Sequence, residues 1–273
     1  MANELRVEPI SLPQLGLGLF KVPAEATQSL VEQALEVGYR HFDCASAYGN
    51  ETELGRALSQ SGLPRDTFSV TSKAWIDELG RDEVGPALGR SLERLNLDYV
   101  DYYMIHWPAP ALDVYVESFE RMLAIRSDGL LRHAAVSNFH SDYLQRLKNS
   151  AGELPAINQV ERHPYLQQRE LIDYHRREGI ATQAWAPLAR AEILNDSVLA
   201  TLADEEGVTA SQLVLAWQLS SSVSVIPKSS RRDRLEENLR ATEVTLSEST
   251  IAALTPLDRG HRVGPDPREK NAP

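Results

Sequence analysis

Short apolar runs rich in β-branched and aromatic residues recur along the chain, and each is followed by a longer stretch of helical period. YRHFD (39–43), FSVTSK (68–73), YVDYYMIH (99–106), RHAAVSN (132–138), AINQVE (156–161), IATQAW (180–185) and VSVIPK (223–228) read as strands, and LGLG (15–18) adds an eighth. The stretches between them predict amphipathic helices. Over 24–37, Leu30, Val31, Ala34 and Leu35 share one face, and over 82–95, Val84, Leu88, Leu92 and Leu95 recur at steps of three and four. Gly38, Gly62, Gly129 and Gly179 stand where such patterns stop, and Asn50 stands where one starts, before ETELGRAL.

Strands alternating with helices call for parallel pairing, because a helical crossover is the usual way to return the chain to the same sheet edge. Eight such units, with no long linker or break in composition, predict an α/β fold of the (β/α)8 TIM-barrel type, a single domain over residues 1–273. A doubly wound sheet is the competing architecture. It would want a phosphate-binding turn, but GLGLFK at 16–21 lacks the third glycine of G-x-G-x-x-G and no convincing helix follows it directly. The opening ELRVEPISLPQ predicts a short β-hairpin ahead of the barrel, and the Pro- and Gly-rich LDRGHRVGPDPREKNAP predicts an irregular tail.

Composition narrows the function. The chain has 273 residues, 42% hydrophobic and 25% charged, which is ordinary globular usage. A net charge of −11 argues against nucleic acid or an anionic membrane as partner. No run approaches the length of a membrane span, and the N-terminal residues carry no export signal pattern, so a cytoplasmic location is expected. The single cysteine, Cys44, excludes an intrachain disulfide and a cysteine-based zinc cluster.

The chemistry concentrates at the ends of the predicted strands. Their last positions hold Asp43, Lys73, His106, Ser137 with Asn138, Gln159, Trp185 and Lys228. In a barrel these project onto one rim, the C-terminal face on which active sites are built. Asp43, Lys73 and His106, with Tyr48 just past the first strand, make an acid–base group in which a lysine could assist a tyrosine hydroxyl and an aspartate could keep the lysine charged. Taken singly, each also has a structural reading: Asp43 as an acceptor for loop amides, Tyr48 as packing, Lys73 as a solvated charge and His106 as a satisfied half-buried histidine. A second group, VIPKSSRRDRLEEN (225–238), brings Lys228, Ser229, Ser230, Arg231, Arg232 and Arg234 to the opening of a helix, either an anion site or a solvated basic turn.

With these motifs assembled, the sequence resembles the aldo-keto reductase superfamily, most closely its bacterial 2,5-diketogluconate reductase-like branch. LGLG (15–18), HFDCASAYGNE (41–51), TSKAW (71–75), LDYVDYYMIHWP (97–108), VSNF (136–139), INQVERHPY (157–165), WAPLAR (185–190) and IPKSSRRDRLEEN (226–238) carry the resemblance in order. It implies reduction of aldehydes and ketones by direct hydride transfer from NADPH, with Tyr48 as general acid, Lys73 and Asp43 tuning it, His106 orienting the carbonyl, and no metal. It further implies that Gly18 touches the cofactor and that Ser137, Asn138, Gln159 and Trp185 meet its nicotinamide end. Lys228, Ser229 and Arg234 would meet the 2′-phosphate, and Glu237 and Asn238 the adenine. Phe20, Trp75 and Trp107 are expected to line the substrate pocket, together with part of the tail. A short connection after His106 and a short tail predict an open mouth, and a monomer is expected. Because relatives of this fold also serve as nucleotide sensors or structural proteins, an NADPH-binding barrel with little turnover is the alternative. A hydrolase would want paired carboxylates or a metal set on the rim.

Overall fold

The computed structural model describes residues 4–7 and 10–273. Strand β1 (Glu4–Val7) pairs antiparallel with β2 (Ile10–Pro13), Glu4 opposite Pro13 and Val7 opposite Ile10; positions 8 and 9 of the expected hairpin lie outside the described residues. The remaining strands are β3 (Leu17–Gly18), β4 (His41–Asp43), β5 (Ser69–Ala74), β6 (Val100–Ile105), β7 (Leu131–Ser137), β8 (Ile157–Glu161), β9 (Ala181–Trp185) and β10 (Val223–Val225). They form one parallel sheet in chain order. Gly16 N–H donates to Val225 O (2.9 Å), Val225 N–H to Gln14 O (2.8 Å) and Gly18 N–H to Pro227 O (3.2 Å), so the first strand bonds to the last and the sheet closes. Closure removes the unpaired sheet edges.

Helices α1 (Ala24–Val37), α2 (Glu51–Gln60), α3 (Val84–Leu95), α4 (Tyr115–Arg126), α5 (Ser141–Ala151) and α6 (Arg169–Glu178) each connect two consecutive strands. The expected stripe of α1 is the buried one: Leu30, Val31, Ala34 and Leu35 pack inward. Gly38 ends that helix at φ +116°, donating its N–H to Ala34 O at 3.0 Å, a conformation that costs residues with a Cβ. The chain departs from a strict repeat after β9. That connection carries two helices, α7 (Ser197–Glu206) and α8 (Ala210–Ser220), which build a separate apolar cluster with Tyr165, Ile193 and Leu254. After β10 come α9 (Arg232–Arg240) and α10 (Glu248–Leu254).

Asn50 stands at the N-cap of α2, but its side chain does not cap the helix. Its amide donates to Leu19 O (3.0 Å) and Val22 O (3.2 Å), tying the loop after β3 to the start of α2. The Leu19 carbonyl also accepts from Val22 N–H (3.1 Å), so the amide chiefly serves the Val22 carbonyl, whereas the first amides of a helix have other ways to be satisfied.

Alternation along the strands sorts side chains onto two faces. Phe42, Val70, Tyr103, Ile105 and Val136 point outward into the main core with Val31, Leu54, Leu88 and Phe119 from the helices. Inside the barrel, Tyr102, Met104, Ala135, Ile157 and Ala181 form an apolar floor with Ile10 and Leu12 of β2. Two residues further along the same strands the interior turns polar: His106 follows Met104, Gln159 follows Ile157, and Gln183 follows Ala181. The floor excludes water from one end, and the polar layers face the other.

Candidate active site at the C-terminal rim

Asp43 ends β4, Lys73 lies near the end of β5 and His106 follows β6, so parallel register places them on neighbouring strands. Tyr48 reaches them through a 3-10 turn over Ser46–Tyr48 that stops at Gly49 in the left-handed region (φ +67°). Lys73 is fully buried, and its ammonium donates to Asp43 Oδ1 (2.5 Å), to Cys44 O (2.9 Å) and to the Tyr48 hydroxyl (3.4 Å). The Tyr48 hydroxyl lies 3.4 Å from His106 Nε2. The four expected residues therefore form one connected group rather than four strand-end accidents.

Its electrostatics follow from burial. Loss of water disfavours the charged form of Lys73, but Asp43 together with Tyr48 and Cys44 outweighs it and the ammonium is held above its ordinary pKa. Burial pushes the Tyr48 phenol up to about 12, with the nearby Lys73 charge pulling the other way. His106 is held well below the ordinary imidazole range by burial and by the charge on Lys73, so it is neutral. Its Nδ1 is buried and has no hydrogen-bond partner among the described residues, so the single ring proton belongs on Nε2, facing Tyr48. Two O–H and N–H donors thus converge beside a fixed cation, an arrangement suited to a carbonyl oxygen that gains negative charge.

Aromatic rings frame this group. Phe20 lies 5.2 Å from Tyr48 and Trp75 lies 4.8 Å from His106 between ring centroids, and Trp107 meets Trp185 edge-on at 6.4 Å. Phe20 is 46% exposed, the most open of the expected pocket residues. The tail is irregular but fixed. Glu161 accepts the backbone amides of Val263 (2.6 Å) and Gly264 (3.1 Å), and His163 Nε2 lies 3.0 Å from the same carboxylate. Further on, Asn271 accepts from Ala111 N–H (2.7 Å) and the Lys270 ammonium lies 5.5 Å from the Trp75 ring centroid. The tail therefore runs along the rim from Trp185 to Trp75 and forms part of the mouth. A Cβ at Gly264 would lie 2.4 Å from the Trp185 ring, so glycine is needed for this contact.

The expected cofactor residues divide in two. Near the tetrad, Ser137 Oγ donates to Gln159 O (2.9 Å), Asn138 donates to His106 O (3.0 Å) and Ser137 Oγ (3.0 Å), and Trp185 Nε1 donates to Asn138 Oδ1 (2.8 Å). Both amide hydrogens of Asn138 are thus used within the protein. Gln159 Nε2 donates to Asp43 Oδ2 (2.7 Å) and to Gln183 Oε1 (2.7 Å), leaving its own carbonyl oxygen as the group open to a ligand. Gly18 has a structural use: a Cβ there would lie 2.7 Å from Ile226 O, at the seam where the barrel closes.

At the other end, Ser229 is buried, while Lys228 and Arg234 are exposed and have no acidic partner among the described residues. Arg231 and Arg232 are engaged instead, with Asp233 and with Glu36 and Glu236. Glu237 accepts from Thr209 Oγ1 (2.6 Å), and Asn238 is buried on the same helix. Three interior or rim residues escaped the sequence reading: Gln183, His41 and Glu161. The signal for them was a polar residue at an inward-facing strand position, where an apolar one is usual.

Among the described residues no group of three or more His, Cys, Asp or Glu side chains stands close enough to hold a metal ion. The model of the aldo/keto reductase family matches residues 14–259. An aldo-keto reductase of Mycobacterium sp. (strain KMS) is 42% identical over 261 residues, 96% of this chain and 95% of that protein. The methylglyoxal reductase DkgA of Escherichia coli (strain K12) is 40% identical over 258 residues, 94% of this chain and 93% of that protein. A crystal structure of a Gox0644 mutant in complex with NADPH superposes with a TM-score of 0.91 at 34% identity, covering 95% of each chain. With a family match running from the first barrel strand past the last and a tetrad assembled at the rim, this chain belongs to the aldo/keto reductase family and is an oxidoreductase.

Proposed function

We propose that the enzyme reduces small aldehydes and ketones to alcohols at the expense of NADPH, with Tyr48 as the general acid. The observation that carries this reading is the buried ammonium of Lys73, held by Asp43 at 2.5 Å and set 3.4 Å from the Tyr48 hydroxyl. A phenol pushed up to about 12 is a weak acid, but a fixed cation stabilises the phenolate left after proton transfer. The cofactor supplies the hydride. Tyr48 protonates the oxygen that becomes the alcohol, and the His106 Nε2 proton holds that oxygen in place while Trp75, Trp107 and Phe20 shield it from water.

The residues fit a bound NADPH. The Gln159 carbonyl is free to accept from a carboxamide, the Trp185 indole offers a ring for stacking, and Lys228 and Arg234 are cations awaiting an anion, which favours the 2′-phosphorylated cofactor. Small carbonyl compounds fit an aromatic mouth bounded by the tail. A monomer in the cytoplasm remains part of this reading, in keeping with the net charge of −11.

The test is NADPH consumption by the wild type against a panel of aldehydes, ketones and dicarbonyls. Methylglyoxal goes first because the E. coli relative is named for it. Turnover with at least one carbonyl is expected. Tight NADPH binding with no turnover of any would favour a nucleotide-sensing barrel.

A further inference from the structure

A polar chain runs from the catalytic carboxylate into the barrel. Gln159 Nε2 donates to Asp43 Oδ2 and to Gln183 Oε1, each at 2.7 Å. Gln183 Nε2 in turn faces His41 Nε2 at 3.0 Å and Ser224 Oγ at 3.3 Å, and His41 Nδ1 lies 2.8 Å from Ser69 Oγ. Gln159, Gln183, His41 and Ser224 are all buried. A Cβ at Gly16 would lie 2.3 Å from the His41 ring, so that glycine makes room for the imidazole.

The direction of every bond is fixed from both ends. Asp43, ion-paired with Lys73, can only accept, so Gln159 must present its NH2 to it. At the far end, the Ser224 hydroxyl donates to Pro13 O (2.9 Å) and the Ser69 hydroxyl to Arg40 O (3.5 Å), which leaves both oxygens as acceptors. His41 then carries its proton on Nδ1 and accepts at Nε2, because Gln183 must donate to it. Burial holds His41 down at a pKa of about 3, so the ring has the single proton this pattern requires.

We propose that Gln183, backed by His41, is a positioning residue for the reaction: by accepting the second amide hydrogen of Gln159 it locks the orientation that Asp43 selects and secures the hydrogen bond from Gln159 to Asp43. This rests on the reductase reading above. With Gln183 in place, Gln159 cannot turn its NH2 toward a ligand without losing two bonds, so its carbonyl oxygen is always the group offered. Without Gln183 the amide has a free hydrogen, and its orientation is held by the bond to Asp43 alone.

The experiment compares Gln183→Leu with Gln183→Glu, reading NADPH Kd by fluorescence and kcat and KM with a carbonyl that the wild type reduces. A buried, protonated glutamic acid keeps the pattern, with C=O accepting from Gln159 and O–H donating to His41. The leucine variant is expected to weaken NADPH about tenfold and lower kcat by a similar factor, the worth of one or two lost hydrogen bonds, with little change in carbonyl KM. The glutamate variant is expected to recover most of both. If Gln183 only fills space, leucine will be the better tolerated of the two, and that order overturns the proposal. Should the leucine variant fail to fold, Gln183→Met takes its place. Independently, 15N-edited spectra of the wild type should show His41 as the neutral Nδ1–H tautomer, and the Nε2–H form would contradict the chain. Wild type that binds NADPH yet reduces nothing defeats the reductase reading, and the role of Gln183 in setting the amide is then decided by NADPH affinity alone.

Discussion

The two ends of the proposed cofactor site treat positive charge in opposite ways. At the tetrad, Lys73 is fully buried and its charge is already answered, by Asp43 at 2.5 Å and by the carbonyl of Cys44 at 2.9 Å. At the start of α9, Lys228 and Arg234 are exposed and have no acidic partner among the described residues. A charge that must act on a reacting hydroxyl has to be fixed and shielded from water, where its field is strong. A charge that recruits a ligand gains by remaining solvated until the ligand arrives. The first arrangement adds to or subtracts from the stability of the fold, and the second affects binding alone.

Replacing the two lysines is the sharpest way to break this contrast. Lys73→Met leaves Asp43 buried without its partner, and should cost about 3–5 kcal/mol of stability together with nearly all carbonyl reduction. Thermal melts and NADPH consumption check the two effects. Lys228→Ala should leave the melting curve unchanged and raise the NADPH Kd about tenfold, as expected for a lost charge-assisted hydrogen bond. Arg234→Ala should behave likewise. Both should leave NADH affinity alone, and the preference of the wild type for NADPH should shrink as salt screens the exposed cations. Equal losses for NADPH and NADH would remove these residues from the 2′-phosphate.

The pH dependence separates the ends further. Reduction needs Tyr48 protonated, and its pKa is raised to about 12, so the active form persists at neutral pH and is lost only as pH rises toward that value. His106, held well below the usual imidazole range, remains neutral through the region where a free histidine titrates. The chemical step should therefore be flat between about pH 6 and 9, whereas a break near 6.5 would mean that His106 is charged in the working enzyme. Stability should respond at lower pH. His41 and His175 are both held down to about 3 by burial. A histidine with a depressed folded-state pKa contributes stability that is complete above its unfolded value near 6.5 and declines as pH falls from there toward 3.

The smallest effect belongs to the tail. Gly264→Ala places a methyl against the Trp185 ring, and should loosen the rim enough to raise the carbonyl KM roughly threefold, by the cost of a modest overpacking. An unchanged KM would separate the tail from the mouth.

Strand order and the Asp43–Tyr48–Lys73–His106 group were legible in the sequence because a barrel converts strand ends into neighbours, so local patterns suffice; the last strand, however, stops at Val225, and Lys228 lies in the loop after it, because Pro227 has no N–H to extend the ladder. The stripe on α1 and its stop at Gly38 were legible for the same local reason. What escaped were choices made by distant partners. Asn50 is a good N-cap by type, yet two loop carbonyls claim its amide. The tail has no periodicity, and its order comes from Glu161, about a hundred positions away. Gln183 and His41 read as ordinary strand residues until the barrel interior joined them to Asp43 through Gln159. The resemblance to aldo-keto reductases named Gln159 as a cofactor contact, but the placing of its amide hydrogens became visible only with the fold.

If Tyr48 delivers the proton, Tyr48→Phe removes the acid and leaves the cofactor site intact. With NADPH Kd and carbonyl reduction measured on the same preparation, reduction should be at least about a hundredfold slower and the Kd within about twofold of the wild type. Reduction that survives the substitution at a comparable rate would contradict that role and move the acid to another group.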